Sequence, residues 1–222
     1  MSYSFEARFS PAGVPLSEAL GPLEKALADS RIHFEGQIMR LESHEGMPTA
    51  MSADIVQVED LADVARVARK WWGVGLFCVS ESLMKALGKT DAVEVTFNLF
   101  RSASGGTSVT YSEPKGAKAA RQDSEDLAND LQAMLVRVCA ALQVEIAIYA
   151  EEADEGLQVP DLQEVRESVE RAAAASALPG MCLVVATRLM TLEAARALAG
   201  PLAARVRLAT AGYLVFSFLS GD

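Results

Sequence analysis

Cysteine, histidine and tryptophan are all scarce in this 222-residue chain, at three, two and two residues. Cys78, Cys139 and Cys182 are odd in number, widely spaced and set in apolar sequence, which argues against a disulfide framework or a zinc site and predicts reduced core thiols. His33 belongs to an alternating stretch and His44 to a polar Glu-Ser-His-Glu-Gly turn, with no spacing that joins them as metal ligands. No apolar run approaches the roughly 20 residues of a membrane-spanning helix. Residues 1–10 alternate polar and apolar positions where a secretory leader would have a charged start and a greasy run, so a cytoplasmic location is expected. Gly-x-Ser-x-Gly and Walker lysine motifs are missing, so no catalytic residue, metal ligand or cofactor is nominated on those grounds.

Basic residues are missing from one long sector. Thirteen acids and only Arg137 and Arg166 lie between Asp123 and Glu170, and this sector carries a charge of −11 in a chain whose net charge is −10. Such a field repels nucleic-acid phosphates and anionic membranes and attracts basic protein. Glu151, Glu152, Asp154 and Glu155 are expected on a loop, with Glu164, Glu167 and Glu170 on one stripe of the helix that follows. Two readings compete: a solvated surface, with acids near helix starts favoured by the dipole, or a face that binds a partner. A calcium loop from Glu151 fails on spacing, because Ala153 and Leu162 fall where carboxyl ligands are required.

Hydropathy periods give the organisation. Alternation over Tyr3–Phe9 predicts a strand, and Leu16, Leu20, Leu23 and Leu27 predict a helix that Pro22 should kink or delay. Strands follow at Ile32–Leu41 and Ala53–Val58 around a Gly46-Met47-Pro48 turn. A helix opens with Glu59, Asp60 and Asp63 and closes with Arg66, Arg69 and Lys70. Next come a buried strand at Val74–Val79, a helix at Ser82–Leu87 and a hairpin of Val93–Arg101 with Thr107–Glu113. Residues 114–122 have no apolar period and read as a linker. Beyond it lie a long helix from Leu127 to Leu142, a strand at Val144–Ala150 and a helix at Asp161–Ala177. A strand at Met181–Thr187, a helix at Leu192–Ala204 and one or two strands in Leu208–Leu219 complete the chain.

This order predicts an α+β fold: mixed or antiparallel sheets packed with about six helices. The expected division is an N-terminal lobe (1–113), a linker (114–122) and a C-terminal lobe (123–222), which also have the option of packing as one domain. Gly21-Pro22-Leu23 and Gly200-Pro201-Leu202 each lie in a helix between strands, a faint sign of two similar lobes.

Trp71 and Trp72 are expected at a helix end, where adjacent side chains diverge by about 100° and one ring must lie near the surface. Each is either a packing anchor or an interface hot spot. Gly73-Val74-Gly75 is no dinucleotide fingerprint, since it lacks the third glycine and follows a helix. Asp91 with Glu113-Pro114-Lys115 resembles the acid, acid and lysine set of the restriction-nuclease core. Pro114 and the negative charge oppose that reading.

Size, acidity, α+β build and the missing catalytic motifs together resemble the broad class of bacterial immunity proteins that neutralise a toxin inside the cell. The resemblance implies a non-enzymatic binding protein without cofactor or metal, and a basic protein partner, with neither nucleic acid nor membrane as ligand. The candidate partner-binding residues are Glu151, Glu152, Asp154, Glu155, Glu164, Glu167, Trp71 and Trp72. The alternatives are a small-molecule enzyme or metal-dependent hydrolase drawing on dispersed residues such as Glu35, Glu94 or Cys78, and an adaptor that oligomerises through an edge strand such as Thr107–Glu113.

Overall fold

The computed structural model describes residues 5–44, 47–89, 93–102, 105–114, 116–151, 159–175 and 179–219. The strands are β1 (Phe5–Ala12), β2 (Ile32–His44), β3 (Met47–Gln57), β4 (Gly73–Ser80), β5 (Glu94–Arg101), β6 (Thr107–Glu113), β7 (Ile146–Glu151), β8 (Met181–Ala186), β9 (Val206–Ala209) and β10 (Tyr213–Phe218). The helices are α1 (Leu16–Ala28), α2 (Leu61–Ala68), α3 (Glu81–Ala86), α4 (Ala117–Gln122), α5 (Glu125–Leu142), α6 (Leu162–Ala174) and α7 (Leu192–Ala199), with a 3-10 turn at Gly200–Arg205. All ten strands form one sheet, in the order β3-β2-β4-β5-β6-β1-β7-β8-β10-β9. Every neighbouring pair is antiparallel. The α+β expectation therefore holds, with a single dominant sheet and seven α-helices among the described residues.

Local chemistry accounts for the helices. Asp60, Ser80, Ser124, Asp161 and Thr191 each cap a helix, their side-chain oxygens accepting a backbone N–H three residues on. Pro22 lies inside an uninterrupted α1, on its exposed side. There the carbonyl left without a donor is open to water, so the helix is neither delayed nor ended by the proline. Gly200, at φ +53, ends α7, so the two Gly-Pro-Leu triplets occupy unlike structures.

Two layers of helices cover the sheet unequally. One face packs against α1 to α5 over most of its width, around Leu23, Leu76, Phe97 and Leu135. The other face is covered by α6 and α7 over β7 to β10, around Val165, Leu183, Ala195 and Phe216. Pairing carries one row of side chains across this second face. Ile148, Leu183, Phe216 and Val206 lie beneath the helices. The row continues through Arg8, Thr110, Asn98, Gly75 and Met39, over which none of the described helices packs.

Three expectations change. Thr107–Glu113 is no edge strand: β6 is paired with β5 and β1, and the edges are β3 and β9, because the N-terminal strand enters between the two halves of the chain. The 114–122 segment contains α4, whose Ala117 and Arg121 are buried. Met47 and Pro48 belong to β3 rather than to a turn, while Gly46 lies outside the described residues. Among the described residues, no helix is long and apolar enough to cross a membrane.

Candidate functional site

The acidic sector is divided by the sheet. Glu125, Asp126 and Asp130 of α5 belong to the layer on the first face, and Glu164, Glu167 and Glu170 of α6 to the layer on the second. Glu164 forms a part-buried ion pair with Arg8 of β1, which ties α6 to the centre of the sheet. Glu167 is exposed and accepts a hydrogen bond from Gln163 at 2.9 Å. Glu145 pairs with Arg188 at 2.8 Å, and Asp130 accepts from Ser82 at 2.7 Å. Glu125, Asp126 and Glu170 are exposed as well, and these three and Glu167 form no ion pair among the described residues. Glu152, Asp154 and Glu155 lie outside the described residues, and of Glu151 only the backbone at the end of β7 is described. The described carboxylates therefore occupy two sides of the sheet, and the α6 set follows residues 151–155 in sequence.

The two tryptophans lie past the end of α2, in the turn that enters β4, rather than in the helix. Both are half-buried. Trp71 packs against the core beneath α1 to α5. Trp72 stacks on Phe100 at a centroid distance of 5.1 Å, and Phe100 shares the second face with Gly73 and Ser108. The rings thus separate to opposite sides of the sheet.

The most committed polar group is Glu113. Its carboxylate, fully buried at the end of β6, accepts from Tyr111 Oη at 2.6 Å, from Tyr149 Oη at 2.9 Å and from Arg121 Nε at 3.2 Å, and it also pairs with Arg121 Nη2. Arg121 Nη1 donates to the Leu127 carbonyl at 2.6 Å. Ala7, fully buried, separates Tyr111 from Tyr149 in the strand register, and its small side chain leaves room for both phenols. Burial alone would lower the Arg121 pKa, but the adjacent Glu113 carboxylate outweighs it and raises the value. With its oxygens consumed in this way, Glu113 has no capacity left to hold a catalytic metal, and the nuclease reading loses one of its acids. Asp91 and Lys115 lie outside the described residues.

Burial and then the Glu113 charge push the Tyr111 and Tyr149 hydroxyls above the ordinary value of 10.0, and burial first pushes Tyr213 up to about 12. A folded value raised above the unfolded one means that the stabilisation is complete below about pH 10 and is lost as pH rises through the folded values. At about one pH unit above the ordinary tyrosine value, the folded chain is therefore expected to show much less tyrosinate ultraviolet absorbance than the chain in urea. Equal absorbance would show that these phenols are not buried.

Cys78 is fully buried beneath the first helix layer, and burial followed by the nearby Glu35 and Glu94 charges pushes its thiol up to about 12. It is therefore a neutral thiol near pH 7. Glu35 and Glu94 are exposed. His33 is also exposed and bonds Glu81 at 2.6 Å. Two hollows went unread in the sequence because their walls come from separate segments. One, of about 310 Å³, is lined by Lys89, Glu94, Thr96, Ser112 and Glu113. The other, of about 440 Å³, includes Arg166, Arg188 and Thr191.

No protein-family model and no curated protein matches this chain. Among solved structures, the Pseudomonas aeruginosa T6SS protein PA0821 is similar at 14% identity and a TM-score of 0.45, over 99% of this chain and 68% of that one.

Proposed function

We propose that this chain is a non-enzymatic binding module that presents acidic residues to a basic protein partner, and in its most specific form an immunity protein that neutralises a basic toxin. The observation that carries the reading is the set Glu125, Asp126, Glu167 and Glu170: exposed carboxylates without an ion pair among the described residues, in a chain with a net charge of −10. Of the two acidic sides, α6 is the docking side. Its acids continue those of 151–155 in sequence, and Glu164 fixes the helix to β1, so Glu167 and Glu170 sit on an anchored element. Complementary charge accelerates encounter and disfavours acidic proteins, while packed anchors set the residence time.

Glutamine or asparagine at Glu151, Glu152, Asp154, Glu155 and Glu167 is expected to slow association with the partner by about tenfold or more at low salt and to flatten its salt dependence. The melting temperature should be unchanged. The partner is first recovered by co-purification from the source cell, and stopped-flow mixing then compares the two proteins. An unaltered association rate rejects this side of the molecule as the docking site.

A further inference from the structure

Among the described strands the sheet ends in β9, of 4 residues, and in β3, of 11. A strand edge carries a row of backbone N–H and C=O groups that match another extended chain. Along β3 the outward groups are identified by the ladder. Gln37, Ile38 and Met39 face Gln57, Val56 and Ile55, and the Val58 N–H continues the pairing by donating to the Gly36 carbonyl at 2.9 Å. Antiparallel pairing alternates, so Val58 and Val56 turn their N–H and C=O toward β2, while Gln57 and Ile55 turn theirs away from it.

The side chains at this edge are apolar on both faces of the sheet. Val56 lies beside Ile38 on the first face and Ile55 beside Met39 on the second, with exposures of 36% and 51%. Gln57 is exposed and uncharged, and Asp54 is the sole charged residue in the sequence from Met47 to Gln57. Beyond Met39 the β2–β3 register shifts, which confines regular pairing at this end of β3 to residues 55–58.

We infer that two copies of this chain join edge to edge through β3, antiparallel, with the two-fold axis normal to the sheet at Val56. In that register Val56 meets Val56 of the partner subunit, and Ile55 exchanges N–H···O=C bonds in both directions with Gln57 of the partner subunit. Asp54 falls opposite a valine, Val58 of the partner subunit, so no acid at the axis faces an acid. Nearer the flank, Arg40 pairs with Glu42 at 2.8 Å, and the exposed Glu59 and Asp60 lie past the end of the strand.

The net charge of −10 opposes this contact only weakly. Six strand spacings of about 4.8 Å separate β3 from β7, where the α6 layer begins. That is about 29 Å, against a screening length of about 8 Å at physiological salt. The contact is small. Even with all 11 residues of β3 engaged, an edge about 37 Å long and about 10 Å thick buries roughly 700 Å² in total. Stable complexes bury about 1,200–2,000 Å², so the dimer is weak and forms as concentration rises. It leaves α6 uncovered and does not depend on the basic-partner reading.

Sedimentation of the full chain between about 10 μM and about 1 mM should show the mean mass rising toward that of two chains. Amide hydrogen exchange at the two ends of that series assigns the interface. The outward amides of Ile55 and Gln57 should slow severalfold in the concentrated sample, while those of Val56 and Val58, already bound to β2, should not. Val56→Lys sets like charges face to face at the axis and should weaken association about tenfold or more, whereas Leu208→Lys on the β9 edge should leave it unchanged. Where the Val56 variant does not fold, exchange on the unaltered chain decides. A chain that stays monomeric throughout overturns the proposal and leaves this edge to a strand of another protein. Association without slowing at Ile55 and Gln57, or association lost in Leu208→Lys and kept in Val56→Lys, overturns it in favour of a different contact.

Discussion

Replacing Arg121 with alanine is expected to destabilise the protein by about 3–5 kcal/mol, because it strands the Glu113 carboxylate in a site closed to solvent. Both partners are almost completely enclosed, with side-chain exposures of 5% for Arg121 and 0% for Glu113. The lost guanidinium also leaves the Leu127 carbonyl without the donor it has at 2.6 Å. Domains have only about 5–15 kcal/mol of stability in total, so the variant should melt about 6–20 °C lower, taking a few degrees per kcal/mol for a chain of this length. The effect arises from the orphaned charge, so it should shrink when the charge is removed too. The combination Arg121→Met, Glu113→Leu, Tyr111→Phe and Tyr149→Phe replaces the whole cluster by apolar groups of similar shape. It should recover most of the loss, as buried ion pairs exchanged for hydrophobic contacts commonly do. Thermal or urea unfolding checks both. A single variant that melts within a degree of the parent would show that the pair is open to water.

This cluster marks the limit of what sequence patterns reveal. Periods of two and 3.6 residues located most of the strands and helices, since each reflects a local alternation of burial that holds wherever the element ends up. The strand order does not have that property. That β1 lies between β6 and β7 depends on pairings such as Ala7 with Tyr111 and with Tyr149, more than 100 residues apart in the chain, which no local window contains. The ion pair had a faint signal. Glu113 follows Val109 and Tyr111 at the spacing of one strand face, and Ala117 and Arg121 share one helical stripe. An acid on a buried strand face requires a counter-charge, and the nearest arginine on a buried stripe supplies it. The short polar-looking segment hides that stripe and reads as a linker. The neighbourhood of Gly75, Asn98 and Thr110 is less legible still, because these residues meet only through the register of three strands.

Phe97→Ala should cost about 3–5 kcal/mol, the usual toll of removing a fully enclosed aromatic ring. Phe97 has no exposed surface, and its ring lies 4.8 Å from that of Tyr111, whose hydroxyl bonds Glu113. Phe216→Ala, in the core under α6 and α7, should cost a similar amount, since that ring is equally enclosed. The two differ in what they couple to. Losing Phe97 frees Tyr111 to tilt and weakens its hold on Glu113, so Phe97→Ala and Arg121→Ala together should depart from additivity by about 0.5–3 kcal/mol. Phe216 shares no contact cluster with that group, and its combination with Arg121→Ala should be additive within about 0.5 kcal/mol. Double-mutant cycles from urea unfolding measure both. If the Phe216 cycle were the one that deviated, the sheet would be transmitting strain between its two helix layers. The two cores would then have to be treated as one cooperative unit, in which damage to either layer loosens the α6 surface as well.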